Sequence, residues 1–210
     1  MSALLLEHGL HLTAFGTVAE DAELRRSSAR PDDDIYVSGT IGDAALGLKI
    51  LQDGIEGLSP DHAEALLDRY HRPRPRLELG QRLHGLAHGV IDLSDGLVAD
   101  LGHVARASEC LATIDASRVP LSDAGRAAVA LEPKLLKLAV TGGDDYELLF
   151  TASSSAAGDL ETLSRELDLP LSAIGKIGPK EEGGKAPVTV TVVDGDGNEW
   201  VVEDGGYHHF

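Results

Sequence analysis

Cysteine occurs once in the 210 residues, at Cys110, which excludes an intramolecular disulfide and leaves too few thiolates for a zinc cluster. Bases are scarce: 18 lysines and arginines stand against 35 acids, a formal charge of −17 that would repel a polyanion and argues against nucleic-acid binding. No apolar run approaches the ~20 residues that would cross a bilayer, so no membrane segment is expected. Leu4-Leu5-Leu6 has neither a basic region before it nor a small-residue cleavage site after it, which argues against a signal peptide and for a cytoplasmic location. Familiar catalytic signatures are also missing. There is no GxxxxGK[ST], no GxGxxG after a strand, no nucleophile elbow and no HExxH, and the nine histidines are scattered.

What is present is an ordinary globular composition, 42% hydrophobic and 25% charged, long enough to bury a proper core. Strand-forming runs stand at Leu10–Val18, Ile35–Thr40, Val90–Leu93, Ala112–Asp115, Tyr146–Thr151, Leu171–Ile177, Val188–Val193 and Trp200–Val202, the last two joined by the turn Asp194–Gly197. Helices are expected after Gly42, with Ala44, Leu48 and Leu51 on one face, and after Ser59-Pro60, where a hydroxyl cap precedes a proline with preset φ. The basic turn His71–Pro75 must interrupt the second of these. Further helices follow Pro75 and Gly96, two short ones cover Ala124–Ala130 and Pro133–Ala139, and another follows Ser153–Ser155. Strands and helices mix without strict βαβ alternation, so the fold class expected is α+β. Glu181–Lys185 is the expected mobile loop.

The stretch Val90–Leu97 concentrates the chemistry. A short apolar strand runs into Asp92, Ser94 and Asp95, and Gly96 then opens a helix whose first N–H groups are free to face an anion. Ser94 or Asp95 could equally be a plain helix cap. Asp92 is harder to dismiss, because a carboxylate at the end of an apolar strand must be solvated, paired or bound to a cation. Gly142-Gly143 before Asp144-Asp145 reads either as a turn or as an acidic pair whose repulsion a cation would relieve. Arg25-Arg26 with Ser27-Ser28 would suit a phosphate, and Tyr207–Phe210 is either a frayed tail or an aromatic lid.

In order along the chain these pieces resemble the thiamine-monophosphate kinases, members of the superfamily of aminoimidazole ribonucleotide synthetase. The resemblance rests on Arg26-Ser27 before Ile35-Tyr36-Val37, Gly39–Asp43, the His71–Pro75 turn, Ile91–Leu97 with Asp100–His103, Thr141–Phe150, and Gly206-Tyr207 with Phe210. The Ile91–Leu97 and Gly142–Leu148 runs are its specific parts. It implies a layered α/β/α domain resembling the superfamily's C-terminal domain over residues 21–210, with residues 1–20 a remnant strand of an N-terminal domain whose Gly-Asp-Asp and Ser-Thr-Asp motifs do not occur before Leu10. The chain is on this expectation a C-terminal part of such a kinase, inactive or nearly so by itself.

Carried over by residue, the resemblance implies that Asp92 and Asp95 bind magnesium, Ser94 contacts ATP, and Arg26 meets the nucleotide phosphates. Asp144 stands where the family usually has a glutamate that contacts thiamine monophosphate, and Tyr207 where an aromatic residue packs on it. The shorter aspartate reaches one methylene less, so Asp145 is a substitute to consider. The implied reaction is ATP- and magnesium-dependent conversion of thiamine monophosphate to thiamine diphosphate, by a full-length homodimer. A phosphate oxygen is already anionic and needs no catalytic base, which suits a site rich in aspartate and poor in nucleophiles. The alternatives are a superfamily member that activates an amide or a selenium species, and a non-catalytic domain of the same fold.

Overall fold

The structure is a computed structural model, and it describes residues 13, 15–20, 22–180 and 190–200. Its centre is an antiparallel pair, β1 (Asp34–Ser38) and β4 (Leu148–Ala152). Neither strand alternates polar with apolar, because each face of the sheet is covered. Ile35 and Val37 enter one core and Tyr36 the opposite one; across the ladder, Leu149 and Phe150 divide in the same way. Tyr36 is register partner to Phe150, and their rings stack with centroids 5.3 Å apart and planes inclined by 7°.

Around this pair the described residues form a six-stranded sheet in the order β2 (Val90–Asp92), β4, β1, β5 (Leu171–Gly178), β3 (Leu111–Asp115), β6 (Val190–Val193). The β3–β6 pair is parallel and the other ladders are antiparallel. α4 (Leu97–Ala107) lays Leu97, Leu101 and Val104 on the face carrying Ile35 and Leu149. The other face takes Leu79 of α3 (Leu77–Arg82) and Leu160 and Leu163 of α7 (Ala157–Glu166). A separate helical core joins α1 (Asp43–Asp53), α2 (Pro60–His71), α5 (Asp123–Leu131) and α6 (Leu135–Thr141) through Leu46, Leu66, Ala128 and Ala139. The result is an α+β domain with an α/β/α layering, as expected.

Boundaries follow from local chemistry. Ser59 and Ser122 each accept a backbone N–H of the helix they precede, from His62 at 3.3 Å and Gly125 at 2.9 Å. Several expectations need correction. α1 buries only part of the Ala44/Leu48/Leu51 face: Ala44 is buried, Leu48 half-buried and Leu51 exposed, while Leu46 is fully buried, because the helix packs on α2 and α6 rather than on the sheet. β4 starts at Leu148, not Tyr146, since Tyr146 has φ 51° and leaves the extended region. Thr13 and Phe15–Val18 lie in no strand; the rest of Leu10–Val18, together with Glu181–Lys185 and Val201-Val202, lies outside the described residues. The Asp194–Gly197 turn closes as expected, with Asp194 N–H donating to the Asn198 carbonyl at 3.0 Å.

Leu101 is fully buried where α4 meets the sheet. Leu101→Ala is expected to lower the unfolding free energy by about 3 kcal/mol, as large-to-small core changes do, read from the midpoint of urea denaturation.

Candidate functional site

At the end of β2 the chain does something its residue types alone do not announce. Asp100, in the first turn of α4 and 2% exposed, reaches back and accepts the N–H groups of Ser94 at 3.0 Å, Asp95 at 3.0 Å and Gly96 at 3.2 Å. Asp100 thus takes the N–H of the N-cap Gly96 and those of the two residues before it. The capping alternative fails, since Gly96 and neither Ser94 nor Asp95 occupies the N-cap position of α4. Asp100 instead fixes the turn so that Asp92 is exposed and Ser94 and Asp95 are half-exposed. Burial, with the Asp95 charge adding to it, drives the Asp100 pKa up to about 6 against the pull of the three N–H bonds.

A second loop locks onto this one. Ser94 O accepts the Asp144 N–H at 2.9 Å, Leu93 O accepts the Tyr146 N–H at 2.8 Å, and Leu93 N–H donates to Glu147 O at 2.9 Å. The approach is so close that a Cβ on Gly143 would strike the Ser94 carbonyl, and one on Gly96 the Thr141 carbonyl. This is the physical reason for glycine at both positions. From Asp144 to Glu147 the side chains alternate outward and inward: Asp144 and Tyr146 are exposed, Asp145 and Glu147 buried. Both outward residues have positive φ, 72° at Asp144 and 51° at Tyr146. For a tyrosine this is an unfavourable backbone, costing roughly 1–3 kcal/mol, and it persists because its neighbours are anchored.

The anchors are charged. Asp145 accepts the N–H groups of Gly42 at 2.6 Å and Ala44 at 3.2 Å, capping α1 from a distant loop. Burial pushes its pKa up to about 7; those two N–H bonds and Arg69 oppose the rise and the neighbouring Asp43 adds to it. Asp145 is thus a structural cap and no substitute for Asp144. Glu147 is fully buried and accepts Ser38 Oγ at 2.5 Å, Arg69 Nη2 at 2.9 Å, and Arg76 Nε and Nη2 at 2.6 and 2.5 Å. The expected basic turn is the approach to this clamp: Arg72 and Arg74 stay on the surface with Asp68, while Arg76 turns inward.

The structure thus brings four of the residues singled out from the sequence together on two interlocked loops: Asp92, Ser94, Asp95 and Asp144. The Tyr146 hydroxyl sits among the acids and donates to Asp144 Oδ1 at 3.3 Å. Its pKa is raised by burial and by the charges of Asp144, Asp92 and Asp95. Arg26 lies on a segment that pairs beside the start of β2, where Arg25 O accepts the Val90 N–H at 3.2 Å, and its own carbonyl accepts Ser108 Oγ at 3.2 Å just beyond the C-terminal end of α4. Tyr207 lies outside the described residues.

Sequence reasoning missed Asp100 and His103 as site residues. One ligand atom each from Asp95, Asp100 and His103 lies within 4.8 Å of the others, a group that could hold a cation. Their i, i+3 spacing on α4 was the available signal. The carboxylates suit magnesium, a hard cation that keeps several waters and binds through one or two carboxylates plus phosphate; the half-exposed Asp95 and exposed Asp92 leave room for that. The imidazole is a poorer magnesium donor.

Residues 30–185 match the family described as AIR synthase related protein, C-terminal domain. The chain is 41% identical over 202 residues to the thiamine-monophosphate kinase of Escherichia coli (strain K12), an overlap covering 96% of this chain and 58% of that protein. Among solved structures it resembles the thiamine-monophosphate kinase of Stenotrophomonas maltophilia K279a, with TM-score 0.75 and 42% identity over 83% of this chain and 54% of the other. It also resembles AaThiL complexed with AMPPCP and TMP, with TM-score 0.71 and 32% identity over 89% of this chain and 54% of that one. The chain spans a little over half the length of these relatives.

Arg76→Ala leaves the buried Glu147 carboxylate with Arg69 as its remaining cation, and the expected loss is about 3 kcal/mol of unfolding free energy by urea denaturation. Asp145 supplies a pH signature. The folded state holds its proton more tightly than the unfolded chain does, from an ordinary value of 3.8 to about 7. The stability it contributes is therefore full below about pH 4 and lost as pH rises through about 7, on the order of 4 kcal/mol at most. The slope of unfolding free energy against pH in this window is expected to be flatter in Asp145→Asn than in the unaltered protein.

Proposed function

This chain belongs to the family of AIR synthase related proteins, matching its C-terminal domain, and on that premise we propose that it carries half of the active site of a thiamine-monophosphate kinase. One observation carries the reading: main-chain bonds join the loops that carry Asp92, Asp95 and Asp144 toward solvent, while the inward acids Asp100, Asp145 and Glu147 are committed to structure. The kinase names of the relatives support it, as does the AaThiL structure, which holds TMP together with AMPPCP, an analogue of ATP.

In the proposed reaction an oxygen of the thiamine monophosphate phosphate attacks the γ-phosphorus of ATP. The bond from that phosphorus to the β–γ bridging oxygen breaks, and ADP leaves with thiamine diphosphate as the product. Magnesium, when bound, would neutralise the facing phosphates and hold them in line. Asp92 and Asp95 would hold it, and Asp100 keeps Asp95 in place by gripping the backbone beneath it. Ser94 offers its hydroxyl to the nucleotide from the same turn. Asp144 faces thiamine monophosphate from the partner loop, and Tyr207 is the proposed aromatic contact on it. Arg26 is the proposed contact to the nucleotide phosphates, from a segment that pairs beside the start of β2. The complete kinase is proposed to be a cytoplasmic homodimer, and this chain without the remainder to turn over slowly or not at all.

Calorimetry of the chain is expected to show binding of thiamine monophosphate that depends on magnesium and disappears in Asp92→Asn and Asp95→Asn. No magnesium-dependent heat with thiamine monophosphate or with an ATP analogue would overturn the reading. Robust thiamine-monophosphate-dependent ADP release by the isolated chain would overturn the claim that it is half a site.

A further inference from the structure

We propose that Tyr146 is a positioning residue for Asp144: its phenol fixes the rotamer of the Asp144 carboxylate and so sets where the thiamine monophosphate contact is made. The inference rests on the kinase reading above and adds to it a residue that the reading does not need.

Tyr146 is 37% exposed and belongs to none of the hydrophobic cores described above. Its backbone is held in the left-handed region at φ 51°, which a bulky side chain avoids. The strain is imposed from both sides. Its own N–H is tied to Leu93 O at 2.8 Å, Asp145 before it caps α1, and Glu147 after it is clamped by Arg69 and Arg76. A glycine or asparagine would relieve that backbone, so the tyrosine answers a demand made by its side chain. Its ring projects beside Asp144, and its hydroxyl donates to Asp144 Oδ1 at 3.3 Å.

The contact matters because Asp144 is otherwise the least restrained acid of the group. Asp145 has two N–H partners and Glu147 has Ser38 and two arginines, whereas Asp144 is exposed and receives the phenol. An aspartate also reaches one methylene less than a glutamate. Choosing one rotamer by a neighbouring donor compensates for that short reach, since the carboxylate then waits in the binding geometry instead of being ordered by the ligand.

Tyr146→Phe keeps the ring and removes only the donor, so the fold should be unaffected, with an unchanged melting temperature. In the labelled chain without ligand, three-bond couplings to the Asp144 Cγ are expected to report one χ1 rotamer in the unaltered protein and averaging in Tyr146→Phe. With magnesium present, the affinity for thiamine monophosphate by calorimetry is expected to fall roughly tenfold in Tyr146→Phe. In an Asp144→Ala background the same change should cost nothing further, as a residue acting through Asp144 requires. Identical Asp144 couplings in both proteins overturn the proposal even where no ligand binds. If the unaltered chain binds thiamine monophosphate and Tyr146→Phe binds it equally well, this inference fails while the kinase reading stands. If Asp144 loses its rotamer but neither protein binds, the kinase reading fails and the positioning contact remains.

Discussion

The Glu147 carboxylate, fully buried and gripped by Arg69, Arg76 and Ser38, is the constraint on which the site depends. A buried charge is tolerated only when its pairing is dense, and here one anion draws together the strand β1 through Ser38, the helix α2 through Arg69 and the start of α3 through Arg76. Ser38 then passes its oxygen on to the Leu148 N–H at 2.9 Å, so the first residue of β4 is tied to the same cluster. The loop that precedes β4 consequently has no freedom to relax. Its outward residues Asp144 and Tyr146 keep positive φ because the inward residues between and after them cannot move.

This separates two kinds of acid in a chain whose negative charge is otherwise uninformative. Asp33, Asp43, Asp100, Asp145 and Glu147 are all within 3% of complete burial. Each is matched by donors: Asp33 by the Arg30 N–H, His88 and Thr151, Asp43 by Thr40 and Ser122. Four of these are fasteners between elements distant in sequence, and Asp100 ties α4 to the loop just before it. Asp92, Asp95 and Asp144 are the converse, left toward solvent by fasteners on either side. Chemistry is available to the second group because the first group has taken over the structural work.

The layered core was legible because β1 and β4 have apolar residues on successive positions and the helices carry serine caps and proline stops. The interlocked loops were legible as motifs, since glycine pairs beside aspartates mark tight backbone. What could not be read was which acid of each pair faces inward. Asp144 and Asp145 are chemically alike, and the choice is made by the α1 N-terminus, supplied from a hundred residues away, which only the fold brings near. Asp100 was hidden for a related reason. A carboxylate in a first helical turn reads as a helix-dipole partner, and nothing local says that it will turn back to hold three N–H groups of the preceding loop. Arg26, a good phosphate binder by composition, has its main chain between the start of β2 and the end of α4, a placement that nothing in its local sequence announces.

The interlock of the two loops also suits the proposed cation on physical grounds. Carboxylates gathered on flexible loops lower their repulsion by drifting apart. Here the loops are joined main chain to main chain, Ser94 to Asp144 and Leu93 to Tyr146 and Glu147, with no space between them for even a methyl group at Gly143. Asp92, Asp95 and Asp144 therefore keep their places relative to one another through the main chain that carries them. On the proposed reading, a metal and the phosphates it accompanies would meet carboxylates whose backbone is already placed, with little rearrangement of the protein.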